Sequence, residues 1–500
     1  MTTMVWWQNL PLVLIVGALM CAAVCSVLKG KAARAVMTVL SVLECCGMGV
    51  LLYYTMTQRK SFVFTMGAVG APFGNELRVG AVEALVGLLF ALVMFLSLLG
   101  GWRQFSRDIA PNRVNLYGAV FCLLTAAMTA MTFTNDLFTG YVFIEISTIA
   151  ACALILARNR GRTIFAATRY MVMNLLGSGL FLLGVSMLYC LTGHLLFPQL
   201  GPKVWWLNTF HTYPMPLYLS FLLMTMGVAI KSGLYPFHTW LPSAYSTATA
   251  TSSAILSSVV SKMYIFLLIK IFFRAAGMNA FSRRIEDVLF LFALAGMIMG
   301  SVHAIRQRHM MRMIAYSSVA QIGYIFLGVA LGTEAGMTAA LFHILAHSSA
   351  KSMLFLAANQ LRFAAGGNDT FPALRGTAKK APLAALAFLA GALSLVGVPL
   401  LGGFVSKVYL AKAGVELGGW RMILALAGLA VSTALNVVYL LKTALTLYRP
   451  KEEPEAEAAP MEKDAPFAFA MGALIVINLA LGVFGGQVMN WIQQGIAMFA

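Results

Sequence analysis

Charge is what this 500-residue chain has least of. Asp, Glu, Lys and Arg make up 10% of it, and acids are scarcer still, 17 against 35 basic residues. So few charges cannot solvate the surface of soluble domains of this length. With 60% hydrophobic residues and a mean hydropathy of +0.84, the composition excludes soluble enzyme classes and indicates a polytopic helical membrane protein. Cysteine is present but without metal-ligand spacing. Cys21, Cys25, Cys45, Cys46, Cys122, Cys152 and Cys190 all lie in apolar segments, which argues against iron–sulfur ligation and a disulfide framework. A nucleotide or flavin fingerprint is also lacking, so no cofactor is expected in this chain. The net charge of +18 would point a soluble protein toward nucleic acid. Here the basic residues sit in short loops between apolar runs, so no nucleic-acid partner is expected and the charge is a topology signal.

Apolar runs long enough to span a bilayer number fourteen: 10–28, 34–56, 80–101, 114–133, 136–157, 168–192, 216–241, 248–273, 286–304, 313–332, 337–360, 383–410, 420–447 and 467–487. The first lacks a basic n-region and a cleavage site and reads as a retained helix. The segment 198–216 reads as a long Pro-rich loop with interfacial aromatic character, 448–466 as an acidic Pro/Ala-rich connector, and Asn490 to Ala500 as a short interfacial helix. Lys and Arg favour the loops after odd-numbered spans by more than two to one, which puts both termini on the outer side of the membrane.

Five lysines remain at membrane depth: Lys231, Lys262, Lys270, Lys351 and Lys407. A lysine there is costly, by about 2.5–3.5 kcal/mol on insertion scales, so such residues face a bundle interior or a wet cavity and mark ion paths. Lys231 precedes helix breakers at Gly233, Pro236 and Pro242; Lys407 follows others at Pro399, Gly402 and Gly403. Backbone freed at that depth must pack in protein or line water. The broken spans are the seventh and the twelfth, five apart. The reading is all-α with two inverted five-helix repeats: 1–113 for helices 1–3, 114–274 for helices 4–8, 275–447 for helices 9–13, then the connector 448–466 and 467–500 for helix 14 and the tail.

Glu145 is the acid near the middle of the fifth span, and its functional reading is a counter-charge for Lys231. A carboxylate moving toward or away from a desolvated amine changes the amine's proton affinity, which supplies a loading and release device. The bland alternatives are a structural acid and a lysine that snorkels to the interface. Lys262 is deeper in its span with Ser257, Ser258 and Ser261 nearby, whereas Lys270, close to Arg274, reads as a snorkelling lysine. His343, His347 and Lys351 at i, i+4 and i+8 share one helix face with about 6 Å of rise between members, so waters or hydroxyls must fill the gaps of a proton relay. No third ligand accompanies the histidine pair, so a metal site is not expected. Glu44 suits a helix-packing or subunit-contact role as well as transport, and Glu83 reads as an acid stabilised at a helix start.

Four stretches carry a resemblance: KSGLYPFHTWLPSAYSTATATSSAILSSVVSKMYIFLLIK, MRMIAYSSVAQIGYIFLG, FHILAHSSAKSMLFLAANQ and GVPLLGGFVSKVYLAKAG. In order and spacing they resemble the proton-conducting antiporter-like membrane subunits shared by respiratory complex I, Mrp-type sodium/proton antiporters and membrane-bound hydrogenases. The resemblance implies fourteen helices with broken seventh and twelfth helices. It implies Glu145 and Lys231 as the charge pair of one half-channel, Lys262 as central relay and Lys407 as terminal group of the other, with His343, His347 and Lys351 in the central hydrophilic axis. This chain departs from the pattern at Ser243, Tyr245, Thr247 and Thr249, where Asp, His, Glu and Pro are common, and at Gln321, where many respiratory members have His. The entrance near the eighth helix thereby loses charge, while Gln321, together with FVSK at 404–407 in place of a Glu-bearing version, leans toward the Mrp D-like and hydrogenase-associated branches.

The leading expectation is an ion-translocating subunit, moving H+ or exchanging it for Na+, in a multisubunit complex of the prokaryotic inner membrane. Its partners would be other integral membrane subunits, membrane lipid and, for a redox-driven complex, iron–sulfur or hydrogenase-like peripheral subunits; any redox chemistry would belong to them. The alternatives are a free-standing secondary transporter of a small solute and a passive membrane anchor for redox subunits.

Overall fold

A computed structural model describes residues 6–66, 69, 74–276, 283–450 and 464–499, and most of the acidic connector lies outside these described residues. Helices dominate because apolar runs in lipid must satisfy every backbone group internally. The chain enters through α1 (Leu10–Val27) and α2 (Gly30–Gln58), then a hairpin of β1 (Phe62–Thr65) and β2 (Glu76–Val79) paired antiparallel. Next come α3 (Ala81–Gly100), short α4 (Trp102–Asp108), α5 (Val114–Phe133), α6 (Leu137–Leu156), α7 (Gly161–Thr192), α8 (Phe197–Thr209) and α9 (Pro214–Ser232). After the first break follow α10 (Leu241–Thr247), α11 (Ala250–Ile255) and α12 (Ser261–Ile271), the last two joined by a π-helical turn at Leu256–Val260. The second half holds α13 (Arg283–Ile305), α14 (Met310–Ala330), α15 (Glu334–Ala364), short α16 (Thr377–Lys380), α17 (Pro382–Val396), α18 (Gly402–Leu417) and α19 (Gly419–Tyr448), and the chain closes with α20 (Ala465–Val483) and α21 (Gly485–Ala497).

Among the described residues 13 helical stretches are long and apolar enough to cross a membrane. The remaining expected span, 383–410, is divided between α17 and α18, neither of which is 18 residues long. This is a multi-pass membrane protein. Its axis is formed by α11–α12, α14 and α15, which are buried almost throughout, while α1, α2, α7, α19 and α20 expose apolar faces.

Both broken spans stop in the same way. Gly233 (φ +81°) and Gly397 (φ +91°) take the left-handed conformation that a side chain resists. The following amides fold back, Leu234 N–H to the Ala229 carbonyl at 2.9 Å and Val398 N–H to the Leu393 carbonyl at 3.0 Å, which is the Schellman arrangement. Pro236 and Pro399 then prevent resumption of the same helix. Elsewhere helices meet backbone to backbone: a Cβ on Gly227 of α9 would stand 2.5 Å from the Gly177 carbonyl oxygen of α7.

Two expectations are corrected, for 198–216 and Lys270, and two are made more specific, for Glu44 and Glu83. The segment 198–216 is a loop only in part, because α8 occupies Phe197–Thr209. Pro198 falls in its first turn, where a missing N–H is tolerated, although Pro202 lies inside it. Lys270 does not snorkel: it is fully buried, and Nζ donates to the Thr132 and Thr134 carbonyls at 2.7 and 2.8 Å, closing the end of α5. Of the roles open to Glu44, its surroundings are those of helix packing. It is 1% exposed, walled by α3 and α5, and accepts from Thr129 Oγ1 at 3.1 Å. Glu83 is held by more than a helix start, since Arg78 of β2 pairs with it at 2.6 Å.

Candidate functional site

The sequence-selected residues form a row through the middle of the bundle. At one end α6 presents Glu145 and, one turn on, Thr148 to α9. Lys231 Nζ lies 3.8 Å from Glu145 Oε1 and donates to Thr148 Oγ1 at 2.7 Å. Thr148 spends its own proton on the Ile144 carbonyl at 2.8 Å, so it offers the amine a lone pair. Lys231 also stands 5.4 Å over the ring of Tyr264, whose hydroxyl meets Ser147 Oγ at 2.9 Å. The Lys231 side chain is fully enclosed, whereas that of Glu145 is 26% exposed, so the row opens at the flank of the bundle.

Lys262 owes its surroundings to the π turn that precedes it. A π turn displaces the regular i→i−4 pattern and leaves carbonyls in need of donors. Lys262 Nζ is bonded to the Ser257 carbonyl and donates to Ser261 Oγ at 3.2 Å. Tyr245 O–H lies 3.5 Å from Ser261 Oγ and donates to the Leu256 carbonyl at 3.0 Å. Across the interface, Ser348 Oγ of α15 donates to the Ser258 carbonyl at 2.6 Å, locking α15 against the π turn.

On α15 the rings of His343 and His347 lie 5.9 Å apart and nearly parallel. Ser406 Oγ stands 2.9 Å from both the Gly403 carbonyl and His343 Nδ1; with the serine proton on that carbonyl, Nδ1 is the donor of the pair. Its Nε2 then carries a lone pair. Both ring nitrogens of His347 and Nε2 of His343 are buried without a protein hydrogen-bond partner. Buried polar atoms rarely stay unpaired, so these three nitrogens are sites where a bound water would be satisfied. Lys351, one turn beyond His347, donates to the Ile314 carbonyl at 2.8 Å and Ser317 Oγ at 2.5 Å, which ties it to α14.

The other end is Lys407. It reaches back across the second break and donates to the Leu395 and Val396 carbonyls at 3.0 and 2.9 Å and to Thr433 Oγ1 at 3.0 Å. Those carbonyls are ones that the interrupted α17 cannot satisfy itself. At the first break the equivalent service comes from Trp240, whose indole N–H donates to the Ile230 carbonyl at 3.1 Å. Lys407, like Glu145, is half-buried.

The structure thus joins Glu145 to Lys231, Lys262 to its serines and His343 to the Lys407 helix. Among the described residues no acid pairs with Lys262, Lys351 or Lys407; those amines and Lys270 are held by main-chain carbonyls instead. Sequence reading missed Thr148, Tyr264, Ser406, Thr433 and Tyr324, the last of which stacks on His343 at 5.4 Å and lies 5.1 Å under Lys407 Nζ. Their signal was faint: single polar residues recurring on the buried faces of apolar helices.

Residues 134–433 match the family described as NADH:quinone oxidoreductase/Mrp antiporter, TM. NADH-quinone oxidoreductase subunit N of Desulforudis audaxviator is 34% identical over 459 residues, 89% of each chain. Among solved structures, a chain of the membrane-bound sulfane sulfur reductase, an archaeal respiratory membrane complex, is 26% identical with a TM-score of 0.88 over 98% of both chains. A chain of the Mrp complex from Dietzia sp. DQ12-45-1b has the same fold, with a TM-score of 0.84 at 23% identity over 99% of this chain and 97% of that one. Gly233 and Gly397, the π turn and the buried amines all fall within the matched segment, and the chain belongs to the NADH:quinone oxidoreductase/Mrp antiporter transmembrane family.

Proposed function

We propose that this chain is the ion-translocating, antiporter-like subunit of a multisubunit complex of the prokaryotic inner membrane, moving H+ and exchanging it for Na+ where the complex is of the antiporter kind. The observation that carries the reading is the row of buried amines, imidazoles and hydroxyls from Glu145 to Lys407, whose two ends are the half-exposed members. Intramembrane charges are costly enough that a row of them is kept for transport. In this reading Glu145 and Lys231 load a proton, Lys262, His343, His347 and Lys351 relay it, and Lys407 passes it on. Helices α5–α12 (114–274) and α13–α19 (275–447) act as two repeats of opposite orientation, each with one broken helix; the matching glycine-terminated breaks support that division. The charge bias of the loops supports both termini on the outer side.

Similarity to a subunit N and to chains of respiratory and Mrp complexes supports partners that are themselves integral membrane subunits, joined in redox-driven complexes by iron–sulfur or hydrogenase-like peripheral subunits. The test is gentle purification of the native protein with mass spectrometry and iron analysis, followed by reconstitution in liposomes. Expected are stoichiometric membrane partners and ion movement that stops in Glu145→Gln or Lys231→Ala complexes of normal composition. Solute transport by the isolated chain, or full ion movement in both variants, would overturn the reading.

A further inference from the structure

A second polar feature lies away from the row, on the side of the loops that follow the fifth, seventh, ninth and eleventh spans. There a cavity of about 690 Å³ is lined by Arg162 and Arg169 of α7 and Arg312 of α14, with Asp369 beside them. Asp369 is engaged by His309 Nδ1 at 2.8 Å. The hydroxyls on the α10 wall are also engaged: Ser243 donates to the Trp240 carbonyl at 2.8 Å, Ser246 to the Pro242 carbonyl at 2.7 Å and Thr247 to the Ser243 carbonyl at 2.9 Å. Three exposed guanidinium groups therefore converge on one cavity in which the one acid among the described lining residues already has a basic partner.

The chemistry of an occupant follows from what continues below them. Arg162, Phe165, Arg169, Val172 and Leu176 are spaced 3, 4, 3 and 4 residues apart, one stripe of α7, and all five are exposed. The stripe is cationic in its first two turns and apolar beyond. With 32 residues, α7 is about 48 Å long against a hydrocarbon core of about 30 Å, so its first turns stand at headgroup level. The adjoining loops are the basic ones that mark the cytoplasmic face, where anionic lipids concentrate. A guanidinium fork matches a phosphate diester.

We propose that this cavity binds the phosphate of an anionic glycerophospholipid, with the headgroup among Arg162, Arg169 and Arg312 and an acyl chain along Phe165, Val172 and Leu176. No residue of the Glu145 to Lys407 row lines it, and the proposal does not depend on what the row conducts.

The test is native mass spectrometry of the intact complex containing this chain, loaded with phosphatidylglycerol, with phosphatidylcholine, or with inorganic phosphate. Expected is one retained phosphatidylglycerol that phosphatidylcholine and millimolar phosphate fail to displace. Each arginine should account for about fivefold of the retention, so Arg162→Gln with Arg169→Gln weakens it by about 25-fold. Arg312→Gln, on a different helix, should weaken it about fivefold even if the double variant does not assemble. Equal retention of the two lipids, displacement by inorganic phosphate, or unchanged retention in Arg312→Gln would each overturn the proposal. So would loss of a partner subunit from the arginine variants with lipid content unchanged, which would make the cavity a protein interface.

Discussion

Lys231 Nζ and Glu145 Oε1 lie 3.8 Å apart, yet the amine's hydrogen bond goes to Thr148, one turn along the same helix, at 2.7 Å. The carboxylate is thus a charge partner rather than a hydrogen-bond acceptor for Lys231. Such a pair responds to small displacements, since the attraction between unit charges varies inversely with separation and is strong where water is excluded. Glu145→Gln keeps the volume and removes the charge. It should abolish coupled ion movement while leaving subunit composition intact, as read by dye quenching in inverted vesicles beside native gels. Normal quenching in a fully assembled complex would remove the pair from the mechanism.

Thr148→Val probes the other half of the same arrangement. It is close to isosteric and leaves Glu145 in place, but it takes away the acceptor that holds the Lys231 amine. A hydrogen bond to a charged group contributes about 1.5–3 kcal/mol, which corresponds to about 10- to 150-fold in a rate that depends on it. Ion movement should fall within that range without vanishing, and Thr148→Ser should restore most of it. Serine failing to rescue would mean that the hydroxyl is not what matters.

Lys407 differs from Lys231 in having a structural duty. Its amine satisfies the Leu395 and Val396 carbonyls at the end of α17, and its stem packs on Gly397. Lys407→Ala should therefore lower the thermal stability of the complex as well as stop transport, because each buried carbonyl left unpaired costs about 1–3 kcal/mol. Loss of transport with an unchanged melting temperature would show that water replaces the amine at no cost.

At the crossing of α7 and α9 the prediction concerns folding alone. Gly227→Leu would drive a side chain into the Gly177 carbonyl and the Phe181 backbone, from which even a Cβ would be 2.5 and 2.8 Å away. Such overpacking costs about 1–3 kcal/mol and more where only backbone can yield. Assembled complex should fall several-fold in membranes, by immunoblot, whereas Gly179→Leu on the open face of α7 should leave it unchanged.

Much of this was legible in the sequence because membrane depth makes charge conspicuous. Lys231, Lys262, Lys351 and Lys407 stood out from apolar runs, and Gly233, Pro236 and Pro399 announced the breaks. Less visible was anything that depends on which groups meet across helices. Lys270 looked like an end-of-helix lysine, since nothing local to 262–274 reveals the Thr132 and Thr134 carbonyls that hold it. The π turn at Leu256–Val260 left no glycine or proline to mark it. The β1–β2 hairpin and α8 lie in polar or proline-bearing stretches, where composition is consistent with a loop.

The His343 and Ser406 contact makes the last prediction, and it follows from a tautomer. With Ser406 O–H on the Gly403 carbonyl, its oxygen holds the proton of His343 on Nδ1 and leaves Nε2 as the accepting nitrogen of the proposed relay. Ser406→Ala removes that bias without changing any charge, so the imidazole can take either tautomer and part of the population presents N–H where a lone pair is needed. Proton movement should slow several-fold, with assembly unchanged and with a larger effect of deuterated solvent than in the parent complex. His343→Gln should be more severe, since it removes the group that accepts the proton. If Ser406→Ala slowed transport as much as His343→Gln, the serine would be acting directly in the relay rather than orienting the ring. If it had no effect, the tautomer of His343 would not limit transport and the orienting role of Ser406 would be refuted.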